Sequence, residues 1–446
     1  MTRIGCLGKH AYNNALLVVL AYGAWKSPSD PWMAGYPWYP SLLAFGVLFR
    51  ILFRDPSPFW SLFWFWVPIG TGIAMVLPGA GMSVGGAVLL FAVAATLVWT
   101  KIGRPTVTPR FDLARGFLVA VALAIAWKMA IIALYGLPHG PNDIGTSTLL
   151  AARRVLHGRN PYTFPEAQPG LIHQQNFMYP PLGMAAYLPL AGFGHGTARF
   201  ASVFVTNLGL DLAASYAVWR VTCLVHGKGP LSRAIVLVYL LNPILNGQLY
   251  ANGANDAMPA LASLIGLDLA LRSRHRWAVV LLSLGAAAKW FPGILLAGEL
   301  KVALRERNWR AVAWNVVMPI VIFGGALVPF LLEDWREVRH DLTWESVRPL
   351  DDWEGATSAY VLAGGSYTFA IHLAAMAALW ALWKTTTRGE LLRGWLVATM
   401  GFVVLSRSIH LNYLMWFHAP FMLGVVSRSS EVPLEAPEPE PSSPGS

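Results

Sequence analysis

The chain is built around long apolar segments that are separated by short polar loops. A helix that crosses a bilayer needs about 20 mostly apolar residues. Segments of roughly this kind occur at 8–25, 38–53, 58–78, 84–100, 113–136, 197–222, 232–250, 256–272, 311–332, 360–383 and 413–427. Three further segments, at 181–195, 277–300 and 394–407, are interrupted by Pro and Gly, which is tolerated where the backbone is buried in protein or lines a cavity. We therefore predict an all-α, polytopic transmembrane helix bundle with roughly 11–14 membrane segments.

The low content of charged residues excludes several classes of protein. Only 13% of the 446 residues are charged, whereas a soluble domain carries about 25%. So few charges could not cover the surface of a water-soluble protein of this length. A soluble enzyme, a nucleic-acid-binding protein and a disordered protein are therefore excluded as descriptions of the whole chain. We expect a membrane as its environment and no nucleic acid as its partner.

The loops between the apolar segments alternate in charge. Of the 33 Lys and Arg residues, 22 fall in one set of loops, and such loops face the cytoplasm. Cys6 and Cys223 fall on this side, and no disulfide is expected between them. The opposite set contains two long loops, 137–180 and 333–359, and the second carries eight carboxylates. Because functional sites are often built from loops on a rigid scaffold, we expect the site on the non-cytoplasmic face of the cytoplasmic (inner) membrane.

Three regions are expected along the chain. Residues 1–110 add N-terminal transmembrane helices, residues 111–428 form the membrane core, and residues 429–446 form an acidic, Pro-rich tail. The tail contains no aromatic residue and cannot bury enough apolar surface to fold. We expect it to be disordered in the cytoplasm.

The first candidate site follows the segment 113–136. Pro141 and Asn142 predict a turn as the helix leaves the membrane, and Asp143 then lies at the water boundary. Residues 146–157 resemble a short amphipathic helix, which carries Arg153 and Arg154 on its wet face. Its apolar face, which can contact lipid, consists of Leu149, Leu150, Ala152 and Leu156. Asp caps helices well, so Asp143 is either a helix cap or a functional carboxylate, and the local sequence leaves both open.

Two further candidates place polar groups inside apolar segments. Lys289 precedes a helix break at Pro292, and an ionisable residue within the membrane indicates a functional site by default. The helix end beside it could help to hold an anion; the alternative is a lysine that extends to the interface. The stretch 242–256 concentrates amide and acid side chains, including Gln248, Asn252 and Asp256. Its alternative is a capped turn in which Asp256 begins the next helix near Pro259.

Two weaker candidates lie at predicted membrane boundaries. Tyr179 is followed by two prolines, which impose an extended entry into the next apolar segment. Arg407 and His410 form a late basic cluster that could bind phosphate at the outer membrane edge; the alternative is an interfacial aromatic-basic anchor. There is no Walker A loop, Rossmann glycine fingerprint or zinc motif. We therefore expect no nucleotide-driven mechanism, no metal and no cofactor.

Taken together, these elements resemble the multispanning glycosyltransferases of the GT-C superfamily. The most similar pattern is that of the polyprenol-phosphate-mannose-dependent α-mannosyltransferases, which include the phosphatidylinositol-mannoside transferases. The matching elements are Asp143, Ala151-Ala152-Arg153, Gly158-Arg-Asn-Pro161-Tyr162, Tyr179-Pro180-Pro181, Gly247-Gln248, Lys289-Trp-Phe-Pro292 and Ser406 to His410. The resemblance spans roughly residues 113–427.

This resemblance implies transfer of a hexose, with mannose the implied sugar, from a polyprenyl-phosphate donor to an envelope lipid or glycan. The transfer is expected to be inverting and metal-independent. Asp143 is the implied general base, and Lys289, Arg407 and His410 would contact the donor phosphate. Substrate contacts are expected at Arg153, Tyr162, Tyr179, Gln248, Asn252 and Asp256. Two other classes remain open: a lipid or sugar transporter with Lys289 and Asp256 in its pathway, and a structural subunit of a membrane assembly.

Overall fold

The computed structural model describes residues 116–162, 177–194, 196–347 and 367–383, together with a few positions between 390 and 402. The expected N-terminal helices of residues 1–110, the segment 413–427 and the acidic tail lie outside the described residues.

The described residues form helices and turns, and no strand occurs among them. This confirms the predicted all-α class. The α-helices of more than three residues are α1 (Phe117–Ile131), α2 (Asp143–Leu156), α3 (Leu182–Ala185), α4 (Leu188–Ala191), α5 (Ala201–His226), α6 (Pro230–Leu240), α7 (Pro243–Asn246), α8 (Ala257–Leu271), α9 (His275–Ala286), α10 (Leu296–Arg305), α11 (Trp309–Val347) and α12 (Tyr367–Trp383).

Three of the described helical stretches are long and apolar enough to cross a membrane. They are Phe117–His139, Ala198–His226 and Trp309–Thr343, and they coincide with predicted crossings. Two shorter apolar helices cover Ala257–Leu271 and Ile371–Trp383. The chain is therefore an integral membrane protein with a helical membrane bundle.

Two of the three Pro- and Gly-interrupted segments are broken as predicted, the third, 394–407, lies largely outside the described residues, and one further segment is broken as well. Residues 181–195 form only the short helices α3 and α4, and residues 277–300 are divided by a 3₁₀ turn, Phe291–Leu295. The expected single crossing at 232–250 is wrong, because α6 ends at Leu240 and the chain restarts at Pro243. Proline has no N–H to continue the helix and clashes with the preceding turn, so this segment is split as well.

The expected long loop at 333–359 is also wrong at its beginning. Residues up to Val347 are helical, and α11 is only kinked at Asp334, whose φ of −152° is not helical. The Asp334 carboxylate accepts hydrogen bonds from the backbone N–H groups of Arg336 and Glu337, each at 3.2 Å. Asp334 therefore caps a helix that replaces the first half of the predicted loop.

Candidate functional site

The turn that carries Asp143 is built by its neighbours. The helix after Ile131 continues through a π-helical stretch, Ile132–Gly136, and a last turn, Leu137–His139. Asn142 then caps α2, because its side-chain oxygen accepts a hydrogen bond from the Gly145 N–H at 3.1 Å. Asp143 is the first residue of α2 and is exposed. The cap interpretation of Asp143 is therefore wrong: its carboxylate lies at the positive end of the helix dipole without serving as the cap.

The face that α2 buries differs from the sequence expectation. The helix begins at Asp143, three residues before the predicted start, and Leu149 and Ala152 are buried in a protein cluster with Tyr162 and Tyr187. The expectation that these two residues face lipid is wrong, because the helix packs against protein through this side. Leu156, at the far end, is about half exposed. Arg153 is half-buried and donates a hydrogen bond to the Gly194 carbonyl at 3.1 Å.

The N-terminus of α2 docks onto residues 242–256, which we call the junction segment. The Asn142 N–H donates to the Asn252 carbonyl at 2.6 Å. One turn further, Asn255 Nδ2 donates to Thr148 Oγ1 at 2.9 Å. Between these contacts, a methyl group on Gly145 would overlap the carbonyl oxygen of Gly253. The backbones approach too closely for any side chain at this glycine, so the position of Asp143 is set by the junction segment.

Lys289, which follows the end of α9, contacts the C-terminal end of the junction segment. Its Nζ lies 2.6 Å from Asp256 Oδ1 and 3.4 Å from Asn255 Oδ1, and it sits 4.9 Å from the centre of the Tyr179 ring. The lysine is 5% exposed and Asp256 is fully buried. An interface-seeking lysine would point its ammonium group outwards, so that alternative is wrong. Asp256 occupies the N-cap position of α8 but makes no side-chain cap bond; its carboxylate pairs with Lys289 instead.

The other described candidates surround this pair. Tyr162 donates its hydroxyl to the Tyr179 carbonyl at 2.9 Å. Burial and the nearby charge of Asp341 raise the pKa of Tyr162, which keeps this hydroxyl protonated as a donor. Gln248 is buried in a second π-helical stretch, Gly247–Ala251. Its backbone carbonyl accepts a hydrogen bond from the Ala254 N–H at 2.9 Å. Four separate sequence elements thus meet at one junction. Arg407 and His410 lie outside the described residues.

A second buried ion pair was missed by the sequence reasoning. Lys128 on α1 lies 2.8 Å from Asp211 Oδ2 on α5, and neither side chain is exposed to solvent. Both residues stand within apolar spans. The criterion that singles out Lys289, an ionisable residue inside an apolar segment, would have selected these two as well had it been applied to 113–136 and 197–222.

A group of possible metal ligands also appears where none was expected. The ligand atoms of Glu337, His340 and Asp341 lie within 4.8 Å of one another on α11. Glu337 and His340 are exposed and Asp341 is buried, and His340 Nδ1 lies 3.1 Å from Asp341 Oδ1. Residues three and four apart on a helix share a face, which a search for Cys/His spacing does not detect. Exposed acidic groups often come together without binding a metal, so we assign this group no role.

These features define an integral membrane protein whose polar groups meet at helix breaks inside a helical bundle. The sequence model of glycosyltransferase family 87 matches residues 177–408, which is 232 of the 446 residues. The chain belongs to this family and is a membrane glycosyltransferase. Asp143, Arg153 and Tyr162 precede the matched stretch, whereas Lys289, Asp256 and Tyr179 fall within it. A comparison with curated proteins finds no match.

Proposed function

We propose that this glycosyltransferase moves a hexose from a polyprenyl-phosphate donor to an envelope lipid or glycan acceptor. The observation that supports this most directly is the docking of the Asp143 helix onto the segment that holds Lys289. Asn142 binds Asn252, and Lys289 binds Asp256 four residues further along the same segment. A carboxylate and a buried cation are thereby fixed to one rigid element, which is what a base and a phosphate-binding group require.

In the proposed reaction Asp143 is the general base. The acceptor hydroxyl oxygen attacks the anomeric carbon while its proton passes to the Asp143 carboxylate. The bond between the anomeric carbon and the phosphate oxygen breaks, and the electron pair leaves with the polyprenyl phosphate. This single displacement inverts the anomeric carbon, so a β-linked donor gives an α-linked product. No metal or cofactor takes part in the proposed step.

Lys289 is proposed to stabilise the leaving phosphate. The donor phosphodiester carries one negative charge, and a second develops as the glycosidic bond breaks. A cation already held in place stabilises such developing charge without reorganising. Asp256 and the Tyr179 ring keep the Lys289 ammonium group in one position, and Arg407 and His410 are the proposed additional phosphate contacts. Arg153, Tyr162, Gln248 and Asn252 are proposed to shape the substrate pocket.

The resemblance to polyprenol-phosphate-mannose-dependent enzymes supports mannose as the sugar and a phosphatidylinositol-type lipid as one acceptor class. It also supports an active site on the non-cytoplasmic face of the inner membrane. Membership of a glycosyltransferase family favours catalysis over the transporter and structural-subunit alternatives, because neither alternative involves the transfer of a sugar.

Asp143→Asn tests the proposed base. Asn retains the shape of Asp and favours helix N-termini about equally well, but it cannot accept the proton. We expect transfer of labelled hexose from a polyprenyl-phosphate donor in detergent to fall about 10²–10⁴-fold, with donor binding close to wild type. Glu306→Gln, which removes an exposed carboxylate at the end of α10, is the control and should leave transfer unchanged.

Two results would count against this proposal. Near-normal transfer by a folded Asp143→Asn protein would remove Asp143 as the base. If the wild-type protein transfers no hexose from any polyprenyl-phosphate donor but does so from a nucleotide sugar, the proposed donor class is wrong.

A further inference from the structure

The Lys128–Asp211 pair forms the centre of a buried polar network in the bundle. Lys128 Nζ donates to Asp211 Oδ2 at 2.8 Å and to Asn246 Oδ1 at 2.7 Å, and it lies 4.9 Å from the centre of the Tyr250 ring. The Tyr250 hydroxyl donates to the same Asp211 oxygen. The side chains of this network are buried. Because these side chains are buried, we look for their role in the structure that they support.

Two of the network residues belong to the junction segment. Asn246 immediately precedes the π-helical stretch Gly247–Ala251, and Tyr250 lies within it. Lys128 and Asp211 therefore hold both ends of one distorted turn, from α1 on one side and α5 on the other. π-helical turns are energetically unfavourable and occur frequently at functional sites, so this turn needs external support to persist.

Asn207 supplies a second anchor one helical turn before Asp211. Its Nδ2 donates to the Leu249 carbonyl at 3.1 Å and to the Ala254 carbonyl at 2.9 Å. Its Oδ1 accepts from the Tyr187 hydroxyl at 2.6 Å. A broken helix exposes carbonyl groups that must be satisfied inside a membrane protein, and α5 satisfies two of them with a single amide. One face of α5 thus fixes the junction segment along its length.

We propose that Lys128 and Asp211 are positioning residues that set the geometry of the candidate active site through the junction segment. They hold Asn246 and Tyr250, and the same segment continues to Asn252, which binds the Asp143 helix, and to Asp256, which binds Lys289. The catalytic part of this inference rests on the proposed function. The structural part does not, because it concerns where the junction segment lies.

A purely stabilising pair and a positioning pair respond differently to replacement. Removing one member leaves an uncompensated buried charge and destabilises the protein in either case. Replacing both members by apolar residues removes that penalty and is often neutral or stabilising. If the pair only stabilises the fold, the doubly apolar protein should be fully active. If the pair positions the site, the fold is retained and turnover is lost.

The decisive variant is therefore Lys128→Met combined with Asp211→Leu. We expect a thermal midpoint above that of either single variant, because no buried charge is left unpaired, and a kcat lowered by up to about 10²-fold, as a misplacement of about 1 Å in an active site can produce. In hydrogen–deuterium exchange, peptides covering 246–256 and 142–148 should exchange faster, while those of α9 and α10 should not change. The exchange measurement does not require any enzymatic activity.

The matched control removes another acid–base pair, in which the acid is buried and the histidine is partly exposed. His275 Nδ1 lies 2.7 Å from Glu299 Oε2, and His275 begins α9, whose 12 residues place it about 18 Å from the Lys289 end. His275→Gln with Glu299→Gln should leave kcat and the exchange of 246–256 unchanged.

Tyr250→Phe removes only the hydroxyl contact to Asp211. It should lower kcat by about threefold to tenfold, the effect of losing one hydrogen bond. If the double variant does not fold, this variant tests the positioning role in its place.

The outcomes separate this inference from the proposed function. Wild-type kcat in the folded double variant, or unchanged exchange at 246–256, overturns the positioning role. Faster exchange at 246–256 together with reduced kcat supports it. If the wild-type protein transfers no hexose, the proposed function fails, and the exchange of 246–256 alone then supports or overturns the positioning of the segment.

Discussion

The two buried Lys–Asp pairs use the same chemistry in different surroundings. Lys289–Asp256 has a nitrogen–oxygen distance of 2.6 Å and Lys128–Asp211 one of 2.8 Å. Asp256, however, lies at the N-terminal end of α8, whereas Asp211 lies in the middle of the 26-residue helix α5. Lys289 retains 5% exposure, whereas Lys128 has none, although its neighbours Trp127 and Met129 are exposed. The Lys289 pair is therefore slightly open to a ligand, and the Lys128 pair is not.

This difference separates a site from its support. A carboxylate at a helix N-terminus is partly stabilised by the helix dipole, so the Asp256 carboxylate depends less on its lysine partner. A carboxylate in the middle of a helix has no such compensation and depends on its lysine and tyrosine partners. We infer that the Lys289 pair is the one that can contact a bound anion, whereas the Lys128 pair supports the fold of the junction segment.

The largest expected effect comes from removing each lysine alone. Lys128→Met leaves Asp211 buried without its cation, and we expect the free energy of unfolding to fall by about 3–5 kcal/mol. Lys289→Met leaves Asp256 at a helix N-terminus, where the dipole offsets up to about 2 kcal/mol, so its loss should be clearly smaller. Denaturant unfolding of both variants in detergent measures the difference.

Donor binding should show the opposite order for these two variants. Lys289→Met should weaken binding of a polyprenyl-phosphate donor by about 2–5 kcal/mol if the contact is desolvated. Asp143→Asn serves as the control that retains the cation. Equal stability losses in the two Lys→Met variants, or unchanged donor affinity in Lys289→Met, would remove the distinction between a pair that contacts the donor and a pair that supports the fold.

The sequence drew attention to the residues of the candidate site but not to the Lys128–Asp211 pair that supports it, and particular residues show the physical reason. Lys289 precedes a helix-breaking proline and Asp143 follows a turn, and such helix-breaking residues can be recognised in the local sequence. Lys128 and Asp211 interrupt smooth apolar helices, and their pairing across 83 positions depends on how two helices pack. The broken helix after Leu240 shows a related limit, because an average of hydropathy over 232–250 hides the effect of one proline.

An intermediate effect is expected where the Asp143 helix touches the junction segment. Gly145→Ala places a methyl group against the Gly253 carbonyl and the Pro141 side chain, and overpacking of this kind costs about 1–3 kcal/mol. The helix should shift away from the junction segment, so hexose transfer should fall along with stability. Thermal unfolding and a transfer assay on the same preparation measure both quantities.

Gly209→Ala is the matched control for this substitution. Gly209 lies two residues before Asp211 on the same helix and has open space at the position of a Cβ. Ala is favoured over Gly in a helix by up to about 1 kcal/mol, so this variant should be as stable as the wild type or more so. Undiminished transfer by Gly145→Ala would mean that the close backbone approach does not set the position of Asp143.

The smallest expected effect concerns a third acid–base pair, at the opposite end of α9 from Lys289. Burial by itself would lower the pKa of His275, but the hydrogen bond and charge of Glu299, with the charge of Glu306, outweigh it and raise the pKa overall. A group whose pKa is raised on folding stabilises the protein fully below its unfolded value, here about 6.5, and this stabilisation is lost as pH rises through the folded value. The thermal midpoint should therefore decline as the pH is raised above about 6.5, and Glu299→Gln should flatten that decline. The Lys128→Met, Asp211→Leu protein keeps His275 and Glu299 and should retain the wild-type slope. A slope that persists in Glu299→Gln would assign the pH dependence to groups other than this pair.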